Sequence, residues 1–278
     1  MKVSQAINIF LDYQKINSKK CTIKYYTFLL SRFDVQFGDR ELGSITPDEI
    51  LSFLTSVNEH TKQTTRTLRY GILNGFYNFI KNTYEETLQN PCNSQMLKKV
   101  FRANKSIPWT IVDKETVDEI IFRTEKTRNR LMLELMARGG MRIGEVLKIR
   151  PVDVVDRKIT LHNPKSGKEL EAVFIPQKIA NRLKDYIRTN NIEPHERIFP
   201  LQYGSAKDVV KNAGKLAGIN LKPHDLRRHA ATYASRSGTP IEIVSKVILR
   251  HSNLSTTQRY LGKVSDSEAV KWIENLYG

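Results

Sequence analysis

The chain has 278 residues, of which 40% are hydrophobic and 27% charged; that is enough apolar content to bury the core of one large or two ordinary domains and too much for a disordered chain. Lys and Arg total 45 against 29 Asp and Glu, a formal net charge of +16, and the excess runs through both ends of the chain rather than sitting in one basic tail. Such a field favours a polyanionic partner, double-stranded nucleic acid first among them. Two cysteines, Cys21 and Cys92, are too few for a disulfide framework and fit a reducing interior as structural thiols. The N-terminal segment meets polar residues before any adequate apolar run, and no stretch approaches the roughly 20 apolar residues of a membrane span, so a cytoplasmic protein is expected.

In chain order, Ser4 to Ile16, Thr22 to Phe37, Pro47 to Asn58 and Lys62 to Lys81 carry apolar residues at helical spacing, which predicts an all-helical first domain over residues 1–100. Thr46-Pro47-Asp48-Glu49 supplies a capping threonine, proline at the first helical position and acids in the first turn. Lys62, Arg66 and Arg69 lie among threonines on one helix, a face that either reaches phosphate oxygens or is simply solvated. FRANKSIPWT then loses periodicity and contains proline, so a linker is placed over 101–112, ahead of a second domain over 113–278.

The second domain opens with predicted helices at Lys114 to Thr124, Thr127 to Ala137 and Ile143 to Ile149. The period then changes: Ile159, Leu161, Val173 and Ile175 are strand-type residues flanking Asn163-Pro164-Lys165-Ser166-Gly167, which reads as a β-hairpin. Helices resume at Gln177 to Thr189, Ser205 to Ala217, His224 to Arg236 and Ile241 to Leu249, and again toward the C-terminus. The fold class is mainly α with a small β-hairpin or sheet, an α+β arrangement.

Three motifs in this domain carry chemistry. Pro223-His224-Asp225-Leu226-Arg227-Arg228-His229 opens a helix with an imidazole and a guanidinium three residues apart, where free N–H groups and the helix dipole also favour an anion. Leu249-Arg250-His251 precedes a short helix with a capping box predicted at Ser255 to Gln258 and Tyr260 at its end. Gly139-Gly140-Met141-Arg142-Ile143-Gly144-Glu145 sets an arginine at a glycine-loosened turn before a helix, where Glu145 braces Arg142 or the helix start. Taken singly each has a plainer reading. A His and an Arg three apart are commonly surface decoration, a lone tyrosine is commonly a core residue, and His229, five residues from His224, faces another side of the helix as a core histidine.

In combination and order these motifs resemble the tyrosine recombinase family, which includes phage integrases and Xer proteins: an arginine in a GxRxxE-like box, a hairpin lysine, HxxR, a later histidine and a nucleophilic tyrosine. The resemblance covers the second domain by motif, and the first only by size and helical character. It implies a helical, SAM-like core-binding domain and a catalytic domain that close on DNA as a C-shaped clamp. It implies Tyr260 as nucleophile, Arg142 and Arg227 as a phosphate clamp, Lys165 as general acid, His224 as acid/base and His251 as a phosphate ligand. Lys168 and Lys222 are the competitors of Lys165.

Those roles suit the chemistry. A phosphodiester repels nucleophiles and its transition state gathers charge on the equatorial oxygens, which planar guanidiniums stabilise. A free phenol titrates near 10 and needs a base or a cationic field to react at neutral pH, and the departing 5′ hydroxyl needs an acid. No cofactor or metal is expected, because exchanging a phosphodiester for a phosphotyrosine conserves the bond's free energy, and the sequence has no nucleotide loop, HExxH or CxxC pair. The resemblance further implies a tetramer on two DNA sites, a Holliday-junction intermediate, and an apolar C-terminal helix over Ser265 to Tyr277 (Val270, Trp272, Ile273, Leu276) that docks on a neighbouring protomer or packs in cis.

Two positions depart from the family pattern: Arg228 stands where histidine is usual and Arg250 where glycine is usual, and either is a candidate for an added DNA-backbone contact. The alternatives are a type IB topoisomerase, which resembles this chemistry but relaxes DNA without a second duplex, and a catalytically silent DNA-binding regulator, from which catalytic residues would be missing. The chain lacks the length for an obvious additional arm-binding domain, so a Xer-like or simple integrase role is expected.

Overall fold

The computed structural model describes residues 1–103, 111–164, 169–258, 260–261 and 266–277. Two compact units divide the chain, Met1–Ser106 and Ile107–Gly278.

The first unit contains α1 (Val3–Asn17), α2 (Lys20–Phe37), α3 (Pro47–Val57), α4 (Gln63–Thr83) and α5 (Gln95–Val100). Each longer helix buries one stripe: Leu29, Leu30, Phe33 and Phe37 from α2 meet Ile72, Leu73, Phe76, Tyr77 and Ile80 from α4 in a single core. Thr46 caps α3 as its sequence implies, with Thr46 Oγ1 accepting from the Glu49 N–H at 3.3 Å while Glu49 Oε2 accepts from the Thr46 N–H at 2.9 Å. The six-residue α5 buries only Leu97, too little periodicity to announce a helix. Cys92 lies in the core, whereas Cys21 is exposed. Among the described residues no helix is long and apolar enough to cross a membrane.

The second unit packs α6 (Lys114–Arg123), α9 (Gln177–Thr189) and α11 (Pro223–Arg236) around α7 (Thr127–Arg138), in which every residue from Leu131 to Ala137 is buried. A helix stretch buried on every side belongs at the centre of a domain, with its one acid, Glu134, paired to Arg182, and α7 delivers the Arg142 box from there. The box helix α8 (Ile143–Val146) is shorter than its periodicity suggests. Pro151 begins a 3-10 turn and holds the preceding Arg150 extended, at φ −123° and ψ 158°, so the helix stops short of Ile149. The expected hairpin is a three-stranded antiparallel sheet, β1 (Val154–Val155), β2 (Lys158–His162) and β3 (Leu170–Phe174), in which Ile159 faces Val173 and Leu161 faces Glu171. Its added strand has two residues, below the length at which period-two patterning is visible. Lys165 and Lys168, assigned to the hairpin tip, lie outside the described residues.

After α10 (Tyr203–Lys215) and α11, the stretch expected as one helix over Ile241–Leu249 is a single α turn, α12 (Ile241–Ile243), running into a π turn over Val244–Ile248. The Leu249 N–H donates to Val244 O five residues back at 2.9 Å. Helices α13 (Leu254–Gln258) and α14 (Asp266–Tyr277) follow. The cap of α13 is Asn253 rather than Ser255: Asn253 Oδ1 accepts from the Ser255 N–H at 2.9 Å and from its hydroxyl at 2.8 Å. A small second cluster of Ala231, Val244 and Leu249, with Ile248, Tyr260 and Leu261 packed on it, seats this end of the unit.

At the end of α7, Gly140 adopts φ +59°, and a Cβ there would stand 2.8 Å from both the carbonyl oxygen and Cγ2 of Ile248. Gly140→Ala should therefore destabilise the second unit by about 1–3 kcal/mol through left-handed strain and this clash, read as a lowered urea midpoint with unchanged slope.

Candidate active site

The arginine box sets the first side chains. Glu145 Oε2 accepts from the Arg142 N–H at 2.8 Å and its Oε1 accepts from Arg142 Nη1 at 2.6 Å, so one carboxylate braces both the helix start and the guanidinium. Arg142 keeps 22% of its side chain exposed. In α11, His224 is an exposed residue of the first turn, while Arg227, one turn later, is fully buried. His224 and Arg227 are neighbours in sequence register, but the backbone turns them to different depths.

Arg227 is bound mainly by backbone. Its Nη1 donates to Gly140 O, its Nη2 donates to Leu249 O, and Nη2 also lies 3.4 Å from His251 Nε2. The nearest carboxylate oxygen to it, Glu145 Oε2, is 4.0 Å away. Burial first, then the charges of Arg142 and Arg250, pull Arg227 down to about 10, which leaves it charged at neutral pH and short of counter-charge. A buried cation in that state favours an incoming anion.

His251 connects the arginines to the tyrosine. Because a guanidinium can only donate, Nε2 accepts from Arg227, and Nδ1–H donates to Thr257 Oγ1 at 3.0 Å; Thr257 in turn donates to Ser245 Oγ at 2.8 Å. The Tyr260 ring stands edge-on to this imidazole with centroids 5.0 Å apart, and Tyr260 is tied back by its N–H to Thr257 O at 2.8 Å and by its carbonyl, which accepts from Thr232 Oγ1 at 3.1 Å. Burial, followed by Arg227, Arg142 and Arg250, lowers the His251 pKa to about 4. The imidazole is neutral at pH 7.

The structure therefore brings Arg142, Arg227, His251 and Tyr260 into one cluster, with His224 at the start of the helix that carries Arg227. Arg250 is a correction to the expected DNA-backbone contact: its side chain is 3% exposed and its guanidinium points inward to Glu145. Arg228 pairs with Asp225 at 2.8 Å. In the first unit Arg69 donates to Val57 O at 2.6 Å and to Asn58 Oδ1 at 3.1 Å, and Arg66 donates to Thr61 O at 3.2 Å, so both serve the α3–α4 connection, while Lys62 is exposed. His229 is a core histidine whose Nδ1 donates to Val112 O at 3.0 Å. Sequence reasoning missed Thr257, Ser245 and Glu171. Thr257 carried a signal, since it sits three residues before Tyr260 in the short helix α13 that precedes it; Glu171, a charge on a strand face shared with Val173, resembles any exposed hairpin acid. No group of three His, Cys, Asp or Glu side chains suited to a metal occurs among the described residues.

Three motifs from separate elements thus meet as a cluster of guanidiniums and an imidazole beside the Tyr260 ring. Residues 111–266 match the model of the phage integrase family, and the chain belongs to that family. Tyrosine recombinase XerA of Pyrococcus horikoshii is 29% identical over 99% of this chain and 96% of its own length. Transposase A of transposon Tn554 from Staphylococcus aureus is 30% identical, over 60% of this chain and 52% of its own length. Among solved structures, Tn1549 transposon integrase in complex with transposon right end DNA has a TM-score of 0.76 at 15% identity, covering 100% of both chains. A lambda integrase tetramer bound to a Holliday junction has a TM-score of 0.71 at 16% identity over 91% of this chain and 78% of its own. These likenesses establish the fold.

The lowered pKa of His251 has a measurable sign. From 6.5 down to about 4 the unfolded chain takes up a proton that the folded chain refuses, so the stability due to the neutral imidazole is complete above about 6.5 and is lost toward about 4. Urea midpoints should fall across that window, and His251→Gln should remove part of the fall, leaving the share of His229, which burial also lowers. An identical pH slope in the variant would contradict a buried neutral His251.

Proposed function

We propose that this protein is a site-specific DNA recombinase that cuts and rejoins strands through a 3′-phosphotyrosine at Tyr260. The observation that carries the proposal is Arg227: a wholly buried guanidinium 4.0 Å from its nearest carboxylate, in contact with the imidazole against which Tyr260 stands. The scissile phosphate supplies the missing negative charge. Arg142 and Arg227 hold its non-bridging oxygens and stabilise the charge that develops there. The Tyr260 oxygen attacks phosphorus, the bond to the 5′ oxygen breaks, and the leaving 5′ hydroxyl takes its proton from the general acid, assigned to Lys165. His224 accepts the phenolic proton.

His251 binds the phosphate as a neutral donor. With a phosphate present the proton shifts to Nε2 and the Thr257 hydroxyl turns to donate to Nδ1, a reversal that a hydroxyl pair permits because each member both gives and accepts. Resealing reverses these steps with the 5′ hydroxyl of a partner strand as nucleophile. The names of the relatives, recombinases and transposases, favour this over relaxation of a single duplex.

The protein binds DNA and multimerises on it, acting in the cytoplasm as a tetramer on two sites. Helix α14 exposes Val270, Trp272 and Ile273, an apolar stripe that suits docking on a neighbouring protomer. Lys62 of the first unit and the basic surface of both units supply sequence-independent phosphate contacts.

The nucleophile is tested with randomly nicked fragments of the genome that encodes the protein. Wild type should capture a subset as an adduct that survives denaturation, and Tyr260→Phe should bind the captured duplex equally and form none; adduct with Tyr260→Phe would assign the wrong oxygen. Affinity for the same duplex should fall roughly 10³- to 10⁵-fold between 50 and 200 mM salt, the loss typical of 6 to 10 phosphate contacts. A flat dependence would contradict a phosphate-dominated grip.

A further inference from the structure

Arg250 occupies a position that an arginine does not enter without compensation. Its φ is +53°, in the left-handed region where glycine is the residue free of strain. Such a conformation persists only where the surroundings over-determine it. Here the side chain, 3% exposed, is held at four points: Nη1 donates to Ile248 O at 2.8 Å, Nη2 donates to Glu145 Oε2 at 2.7 Å and to Gly140 O at 3.3 Å, and Nε stands 3.6 Å from Glu171 Oε2. Glu171 has a side chain 4% exposed, and neither of its oxygens has a hydrogen-bond partner among the described residues. It belongs to β3. One guanidinium thus meets the end of α7, the arginine box, the sheet and the segment leading to His251.

We propose that Arg250 is a positioning residue of the recombinase site, which keeps Glu145 off Arg227 and fixes β3 to the arginine box. This rests on the phosphate-clamp reading of Arg142 and Arg227. Glu145 Oε1 is taken by Arg142 Nη1, and Oε2 is shared between the Arg142 N–H and Arg250, so both oxygens are occupied without Arg227, which lies 4.0 Å beyond. Without Arg250, Oε2 loses its strongest donor and the nearest replacement is Arg227. A carboxylate on Arg227 occupies the donors that the phosphate needs and neutralises the clamp. Charge counting agrees: three guanidiniums face two carboxylates in this cluster, one positive charge in excess, and removing Arg250 alone cancels that excess while leaving Glu171 buried without its ion-pair partner among the described residues.

The test uses the duplex captured by the wild-type protein and four variants: Arg250→Gly, Arg250→Lys, Glu171→Gln and Arg250→Gly/Glu171→Gln. Thermal melting, the single-turnover rate of adduct formation and the half-saturating DNA concentration are measured for each. Arg250→Gly should slow adduct formation at least tenfold with less than a twofold change in half-saturation. The added Glu171→Gln should recover melting temperature, because it removes the stranded acid, but not the rate, because Glu145 stays loose. A residue that served stability alone would recover both together, and a double variant that is folded and reacts at the wild-type rate overturns the proposal. Arg250→Lys, which retains the charge, decides the matter if both glycine variants unfold: a rate at least threefold below wild type is expected, and the full wild-type rate overturns it. Should wild type itself form no adduct, the phosphotyrosine reading fails instead. Melting then decides the Arg250–Glu171 pair alone: Glu171→Gln should raise the melting temperature of the Arg250→Gly chain, or of the Arg250→Lys chain if the former does not fold, and no gain overturns it.

Discussion

The second unit is organised around a positive charge placed where water cannot reach it. Moving a guanidinium from water into a protein interior costs several kcal/mol unless its donors and its charge are both answered. Arg227 has its donors answered by the carbonyls of Gly140 and Leu249 and its charge only partly answered by Glu145 at 4.0 Å. Both carbonyls come from irregular backbone. Gly140 is left-handed at the end of α7, and Leu249 closes a π turn, so neither oxygen is consumed by the helix that precedes it. A regular helix over Ile241–Leu249 would shift Leu249 and Arg250 about the helix axis and take the cage apart.

The incomplete neutralisation is what a phosphate site requires. If a carboxylate fully paired Arg227, phosphate would have to displace it and the gain on binding would be small. With backbone carbonyls as its partners the guanidinium is oriented but not discharged, and its orientation is set before the substrate arrives, so little reorganisation remains for the reaction itself. Glu145 is compatible with this only because other groups hold it. The same electrostatics keep His251 neutral: an imidazole beside three guanidiniums cannot readily take a fourth positive charge, so it serves as a hydrogen-bonding group whose direction the Thr257 and Ser245 hydroxyls can reverse.

What was legible in the sequence follows from how each feature is encoded. The helices of the first unit declare themselves through one-sided apolar periodicity, and the Thr46 cap through local chemistry alone. The motifs that bring Arg142, Arg227, His251 and Tyr260 together were legible through order and spacing, because each lies in or beside a helix whose start is locally specified. Interior polar geometry was not visible. Arg250 looked like a surface arginine since nothing local tells a buried left-handed arginine from an exposed one, and Glu171 looked like a hairpin acid because the neighbouring exposed Leu170 and Phe174 invert the usual strand pattern. The π turn was hidden for a related reason, since α and π turns present the same apolar spacing over so short a span. Arg66 and Arg69 show a related limit: their density was compatible with either a phosphate-facing or a solvated face, and nothing local announced that Arg66 Nε and Arg69 Nη1 also donate to carbonyls at the α3–α4 connection.

The proposed clamp and the proposed nucleophile are anchored unequally, and the proposed chemistry accounts for the difference. The arginines are fixed by the main core through α7, α8 and α11. Tyr260 rests on a small cluster of Ala231, Val244 and Leu249 and is held through its backbone by Thr232 and Thr257. Charge stabilisation loses its value if the charges relax, so that part belongs on the best-packed elements. In the mechanism we propose, the tyrosine oxygen must instead approach phosphorus, remain attached through the intermediate and then withdraw as the leaving group when a strand is resealed. A segment with few buried contacts makes those displacements at low free-energy cost.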